Sequence, residues 1–140
     1  MKEAIAMARL LLVEDDATNA RVAERVLTRL GGHAVRLTED GDEVLRACSA
    51  GEVDLVVMDV SLAQTRCAGQ AVDGVELTRR LRAACGPAAP PVLLVTAHAM
   101  RGDSARLVAA SGADGYIAKP IADHRALVAR VGELLASREA

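Results

Sequence analysis

Short apolar runs recur along the chain: Leu10-Leu11-Leu12-Val13, Leu55-Val56-Val57-Met58 and Val92-Leu93-Leu94-Val95. Each is too short for a helix and lacks the alternation of a half-exposed strand, the pattern of strands buried on both faces. Longer amphipathic segments lie between them. Residues 17–30 place Ala20, Ala23, Val26, Leu27 and Leu30 at helical spacing, and Gly31-Gly32 stops that helix. A weaker strand follows at 34–37, then a helix at 41–50 and another at 75–84. Gly86-Pro87 and Pro90-Pro91 mark a break before the Val92 run. A helix at 101–111, a strand at 115–117 and a helix at 122–136 complete the series. Five βα units in succession predict an α/β fold, a parallel sheet with helices on both faces, because parallel neighbours need crossover connections and right-handed ones predominate. No linker or second domain is visible.

Polar residues stand at the ends of these strands. Glu14-Asp15-Asp16 follows the first run, Asp59 closes the run at 55–58, Thr96 follows Val95, and Lys119 follows Tyr116-Ile117-Ala118. An open parallel sheet binds ligands at the carboxyl ends of its strands, so these groups share one edge. Carboxylates, a hydroxyl and an amine suit a divalent hard cation and a phosphoryl group. Acidic residues at a strand end also serve as plain solvated loop residues. Asp16, directly before a helix, is at least as well suited to capping it.

Composition narrows the function classes. The chain has 140 residues, about one domain, with 51% hydrophobic and 26% charged residues. No apolar stretch approaches the roughly 20 residues of a membrane-spanning helix. A net charge of -2 gives no basic surface for nucleic acid. Cys48, Cys67 and Cys85 are odd in number, widely spaced and without a CxxC, so they read as reduced thiols in a cytoplasmic protein rather than a disulfide or zinc framework. Residues 1–7 read as a loose leader before a domain at 8–137, and their apolar stretch is too short for a secretory signal.

Val13-Glu14-Asp15-Asp16, Met58-Asp59, Val95-Thr96-Ala97 and the run from Gly112 through Asp114, Tyr116 and Lys119 to Pro120 occur in the order found in receiver domains of two-component response regulators. The chain resembles that family over nearly its whole length. The resemblance implies a flavodoxin-like, doubly wound sheet of order 2-1-3-4-5 with five helices. It implies phosphorylation on aspartate by a histidine kinase or histidine phosphotransfer protein, with magnesium or manganese bound. Asp59 is then the phosphoacceptor, a carboxylate nucleophile that forms an acyl phosphate. Asp15 and Asp59 would bind the metal directly, a backbone carbonyl near Ser61 would be a third ligand, and Glu14 would act mostly through water. Lys119 would neutralise one phosphoryl oxygen and Thr96 would hydrogen-bond another, with Ala97 leaving room for entry. Thr96 and Tyr116 would form the switch, and a cis Lys119–Pro120 peptide would aim the lysine inward. His98 lies near the site edge. The output surface would fall at about 101–111 and 115–136, where a homodimer could also form. The chain would assist its own phosphorylation and dephosphorylation without turning over a separate substrate.

The family pattern is interrupted once. Ala63 stands where most receivers have proline, and Asp73-Gly74 comes about seven residues late, so 63–73 is predicted to be an extended, mobile loop with little apolar surface to bury. Two other functions remain open at this point: a degenerate receiver that binds protein without phosphate, and a haloacid-dehalogenase-type phosphatase. The latter needs a second acid where Ser61 stands.

Overall fold

The computed structural model describes residues 7–97, 103–119 and 123–139. The chain runs through β1 (Arg9–Val13), α1 (Ala17–Arg25), β2 (Ala34–Thr38), α2 (Gly41–Ser49) and β3 (Leu55–Asp59). A small hairpin, β4 (Arg66–Cys67) and β5 (Gln70–Ala71), precedes α3 (Gly74–Cys85). Then come β6 (Val92–Thr96), α4 (Asp103–Ser111), β7 (Gly115–Ala118) and α5 (His124–Glu139). Four helices begin at an aspartate whose carboxylate accepts a backbone N–H of the first turn: Asp16 from Asn19, Asp40 from Asp42, Asp73 from Glu76 and Asp123 from Arg125. The segment read as one helix at 17–30 changes character in its last part, where Val26–Leu30 forms a π-helical turn.

The main sheet is parallel throughout, in the order β2-β1-β3-β6-β7. With the two hairpin strands set aside this is the order 2-1-3-4-5, the flavodoxin-like arrangement. The chain leaves β1 toward β2 on one side and returns to β3 on the other, and ligands bind in the crevice such a reversal opens. Register brings the polar groups there. Val13 pairs with Met58, Asp59 with Val95, and Thr96 with Ala118, so Glu14, Asp59, Thr96 and Lys119 emerge along one edge.

Alternation inside the apolar runs divides the core in two. Leu11, Val13, Val56, Met58, Val92 and Leu94 face α2 and α3. Leu10, Leu12, Leu55, Val57, Leu93 and Val95 face α1 and α5. Gly74, the first residue of α3, is required by close approach: a Cβ there would lie 2.1 Å from the Asp59 carbonyl oxygen. No helix among the described residues is long and apolar enough to cross a membrane.

The segment at 63–73, expected to be an extended loop with little apolar surface to bury, contains a hairpin that packs on the core. Arg66 pairs with Ala71 and Cys67 with Gln70 in an antiparallel hairpin. Its turn residues Ala68 and Gly69 both have positive φ, 54° and 81°, as a type I′ hairpin turn demands. Cys67 and Val72 enter the α2/α3 side of the core, and Thr65 is only 1% exposed. Asp42 accepts the Ala68 N–H at 2.9 Å, and Arg80 donates to the Cys67 carbonyl at 3.2 Å and to Gln70 Oε1 at 2.8 Å. Two-residue strands are too short to leave a sequence period, and the burial comes from two isolated apolar residues meeting a surface built by α2 and α3.

Candidate functional site

Asp59 ends β3 with its side chain 4% exposed. The ladder continues past it, with the Val60 N–H donating to the Val95 carbonyl at 2.9 Å, so its backbone is held on both sides. Lys119 arrives from β7, its own N–H donating to the Thr96 carbonyl at 2.8 Å. That bond directs the lysine back across β6. Its Nζ lies 2.9 Å from Asp59 Oδ1 and 3.7 Å from Glu14 Oε1. The ammonium is close enough to pair with Asp59 but lies off the direction a hydrogen bond needs, leaving the buried Oδ1 without a hydrogen-bond partner.

Negative charge exceeds positive charge here. Burial first, and then the charge of Asp59, push the Glu14 carboxyl up to about 7, against the Asp16 N–H and Lys119, which favour its anion. Burial opposes the charge on Lys119, but Asp59 and Glu14 outweigh it and hold the ammonium above the ordinary lysine value. A cavity of about 370 Å³ opens from this point, with Glu14, Asp59, Ala97 and Lys119 at its polar end. It extends between α1 and α5, where Asn19 and His124 also line it.

Asp15 is held differently. Its Oδ2 accepts the N–H of Ala63 at 2.8 Å, the N–H of Gln64 at 2.8 Å and the hydroxyl of Thr65 at 3.3 Å. It does not line the cavity at Asp59. Among the described residues no three side chains of His, Cys, Asp or Glu stand together as a metal cage. Magnesium, however, takes one or two carboxylates and completes its octahedron with water and phosphate oxygens. The orphaned Oδ1 of Asp59, the excess of carboxylate charge and the second acid at the rim fit that cation.

The structure thus brings Glu14, Asp59 and Lys119 into contact, with Thr96 fully buried at the neighbouring strand end. Asp15 adjoins them but is bound to 63–65, and Asp16 caps α1. Ser61 is exposed two residues beyond Asp59, and Tyr116 is 42% exposed on β7. His98 and the Lys119–Pro120 peptide fall outside the described residues, as does nearly all of the leader at 1–7. The three donors to Asp15 were missed in the sequence. The one signal pointing to them is Ala63, which has an N–H that proline would lack.

The family model for the response regulator receiver domain matches residues 10–132. The polar-differentiation response regulator DivK of Brucella anthropi is 32% identical over 111 residues, covering 79% of this chain and 83% of DivK. The transcriptional regulatory protein AfsQ1 of Streptomyces coelicolor is 36% identical over 131 residues, 92% of this chain, and the chain spans 52% of its length. The chain also matches the gliding motility regulatory protein of Myxococcus xanthus at 34% identity, spanning 13% of that protein. Among solved structures, a response regulator of Chloroflexus aurantiacus superposes with a TM-score of 0.76 at 33% identity, covering 93% of this chain and 98% of that one. The receiver domain of a sensor histidine kinase from Pseudomonas aeruginosa, solved with magnesium in its active site cleft, gives 0.76 at 30% identity, with 94% and 99% covered. With the parallel sheet, its register and the acid-lysine edge, these matches place the chain in the receiver domain family of response regulators.

Proposed function

We propose that Asp59 accepts a phosphoryl group from a histidine kinase or histidine phosphotransfer protein, and that the acyl phosphate switches the domain between two states read by a protein partner. The buried Asp59 carboxylate, which lines the cavity and whose Oδ1 lacks a hydrogen-bond partner, carries this reading. That oxygen is paired by charge with Lys119 at 2.9 Å, a contact that an incoming phosphoryl group would take over. In the transfer, Asp59 forms the new P–O bond as the donor's bond to phosphorus breaks.

Lys119 starts beside Oδ1 and is placed to follow charge onto the phosphoryl oxygens. Thr96, at the end of β6, supplies a hydroxyl to a second oxygen, and Ala97 leaves the entrance clear. Magnesium, or manganese in its place, would be held by Asp59 and Asp15 with the carbonyl near Ser61, Glu14 acting through water. Bound there, it would neutralise charge on the transferring group. Movement of Thr96 toward the phosphate would free the space into which exposed Tyr116 turns, changing the α4-β7-α5 surface. That surface is the proposed output and homodimer face. The domain is read as a cytoplasmic phosphoacceptor that serves its own phosphorylation and dephosphorylation.

The donor would approach over α1, where Arg21, Arg25 and Arg29 frame a groove with exposed Val22 and Leu30 beside His124. Incubation with acetyl phosphate and magnesium, followed by intact mass measurement, tests the chemistry. Wild-type protein is expected to gain one phosphoryl group and Asp59→Asn to gain none. Equal labelling of the two would reject Asp59 as acceptor, and no labelling of either would favour a phosphate-independent binding module.

A further inference from the structure

Asp15 carries three hydrogen bonds on one oxygen, and all three come from consecutive residues at the base of the hairpin. We propose that Ala63, Gln64 and Thr65 form a clamp that competes with the divalent cation for Asp15 and so sets the affinity of the site. The inference rests on the phosphoacceptor reading above, since it concerns a carboxylate which that reading assigns to the metal.

Four observations converge on it. Two of the donors are short, backbone N–H groups at 2.8 Å, and the third is a longer hydroxyl contact at 3.3 Å. Thr65 is 1% exposed, so its hydroxyl is confined to this geometry rather than sampled from solvent. The clamp is itself held: Thr65 accepts the Val72 N–H at 3.1 Å, and Cys67 and Val72 anchor the hairpin in the core. Asp15, finally, is absent from the cavity that Glu14, Asp59 and Lys119 line, although it directly follows Glu14 in the chain. The carboxylate is drawn to the hairpin rather than to the acid pair.

The competition follows from charge. Hydrogen bonds to a carboxylate are about twice as strong as neutral ones, and each disperses negative charge that a cation would otherwise use. A cation that draws Asp15 Oδ2 toward Asp59 must loosen at least part of this set. By linkage, whatever the clamp subtracts from metal affinity, the metal subtracts from the clamp. The hairpin is thereby tied to the loaded state of the site. The contact needs an N–H at position 63, which alanine supplies and proline cannot.

The test measures Mn²⁺ binding by calorimetry on the intact chain, with wild type, Asp59→Asn, Ala63→Pro, Thr65→Val and Thr65→Ser. Thr65→Val removes the hydroxyl and keeps the shape, and Thr65→Ser keeps the hydroxyl. Tighter binding is expected for Ala63→Pro, by about tenfold for one strong charge-assisted bond, and for Thr65→Val by about threefold because its bond is longer. Thr65→Ser should match wild type. A packing role for Thr65 would instead spare valine and disturb serine. In parallel, the amide protons of Ala63 and Gln64 in the wild type should lose protection from hydrogen exchange as Mg²⁺ is added. Unchanged or weaker Mn²⁺ binding by Thr65→Val, or amides equally protected with and without Mg²⁺, would overturn the clamp while Asp59→Asn still lost the metal. Failure of wild type to bind Mn²⁺, or equal binding by Asp59→Asn, would overturn the metal site itself and the clamp with it.

Discussion

The two faces of the sheet are closed to different degrees. On one, α2, α3 and the hairpin cover Leu11, Val13, Val56 and Met58, and Leu77 and Leu81 reach 0% exposure. Charged side chains lace its rim: Arg36 and Arg46 meet Glu43 and Glu52, and Arg80 meets Glu76. On the other face, α1 and α5 leave the cavity of about 370 Å³ whose floor is Leu12, Val57 and Val95. The chain has no Phe or Trp, and its one aromatic residue, Tyr116, lies outside this cavity, so small side chains such as Ala23 and Ala97 bound the space. The contrast assigns different duties. The tight face packs Gly74 closely against the Asp59 backbone, whereas the open face leaves space beside the acid-lysine edge.

The largest effect that would test this contrast is a pair of truncations read by urea unfolding. Leu81→Ala on the closed face should cost about 4 kcal/mol and Leu127→Ala on the open face about 2 kcal/mol, because a side chain beside an existing void loses fewer contacts. Equal losses would mean that both faces are equally packed. A smaller effect of opposite sign is expected from Ala23→Leu, which extends into the cavity from α1. Filling it should raise stability by about 1 kcal/mol. A loss of stability would show that the space is not available to a side chain.

The smallest effect concerns pH. His33 is buried next to the open-face core, its Nδ1 accepting the Ala8 N–H at 3.1 Å, and burial holds its pKa below the ordinary histidine value. The fold therefore favours the neutral ring. Its contribution is complete above the unfolded value of about 6.5 and is lost as pH falls from there toward the lower folded value. Wild type should lose more stability between about pH 7.5 and 5.5 than His33→Gln does. Equal losses in the two proteins would assign the pH dependence to other groups.

Much of this was legible in the chain alone. Continuous apolar runs marked β1, β3 and β6, since a strand covered by helices on both faces must be apolar at every position. Asp16 was legible as a helix cap because capping depends on residues three apart. The edge shared by Glu14, Asp59, Thr96 and Lys119 followed from parallel strands alone, without knowledge of any side-chain contact. The hairpin was not legible. Its strands carry no period, and Cys67 and Val72 become buried only because α2 and α3 are already beneath them.

Local order in the sequence determined the βα succession, the strand cores and the kinds of group that meet at the carboxyl edge, because these depend on periods and neighbours a few residues apart. Tertiary structure decided which of those groups face one another. Lys119 reaches Asp59 across β6, and Asp15 turns toward residues 48 to 50 positions further along the chain. Whether a carboxylate faces a lysine, as Asp59 does, or N–H and hydroxyl donors, as Asp15 does, is settled by electrostatic and packing forces between segments that the chain brings together only when folded.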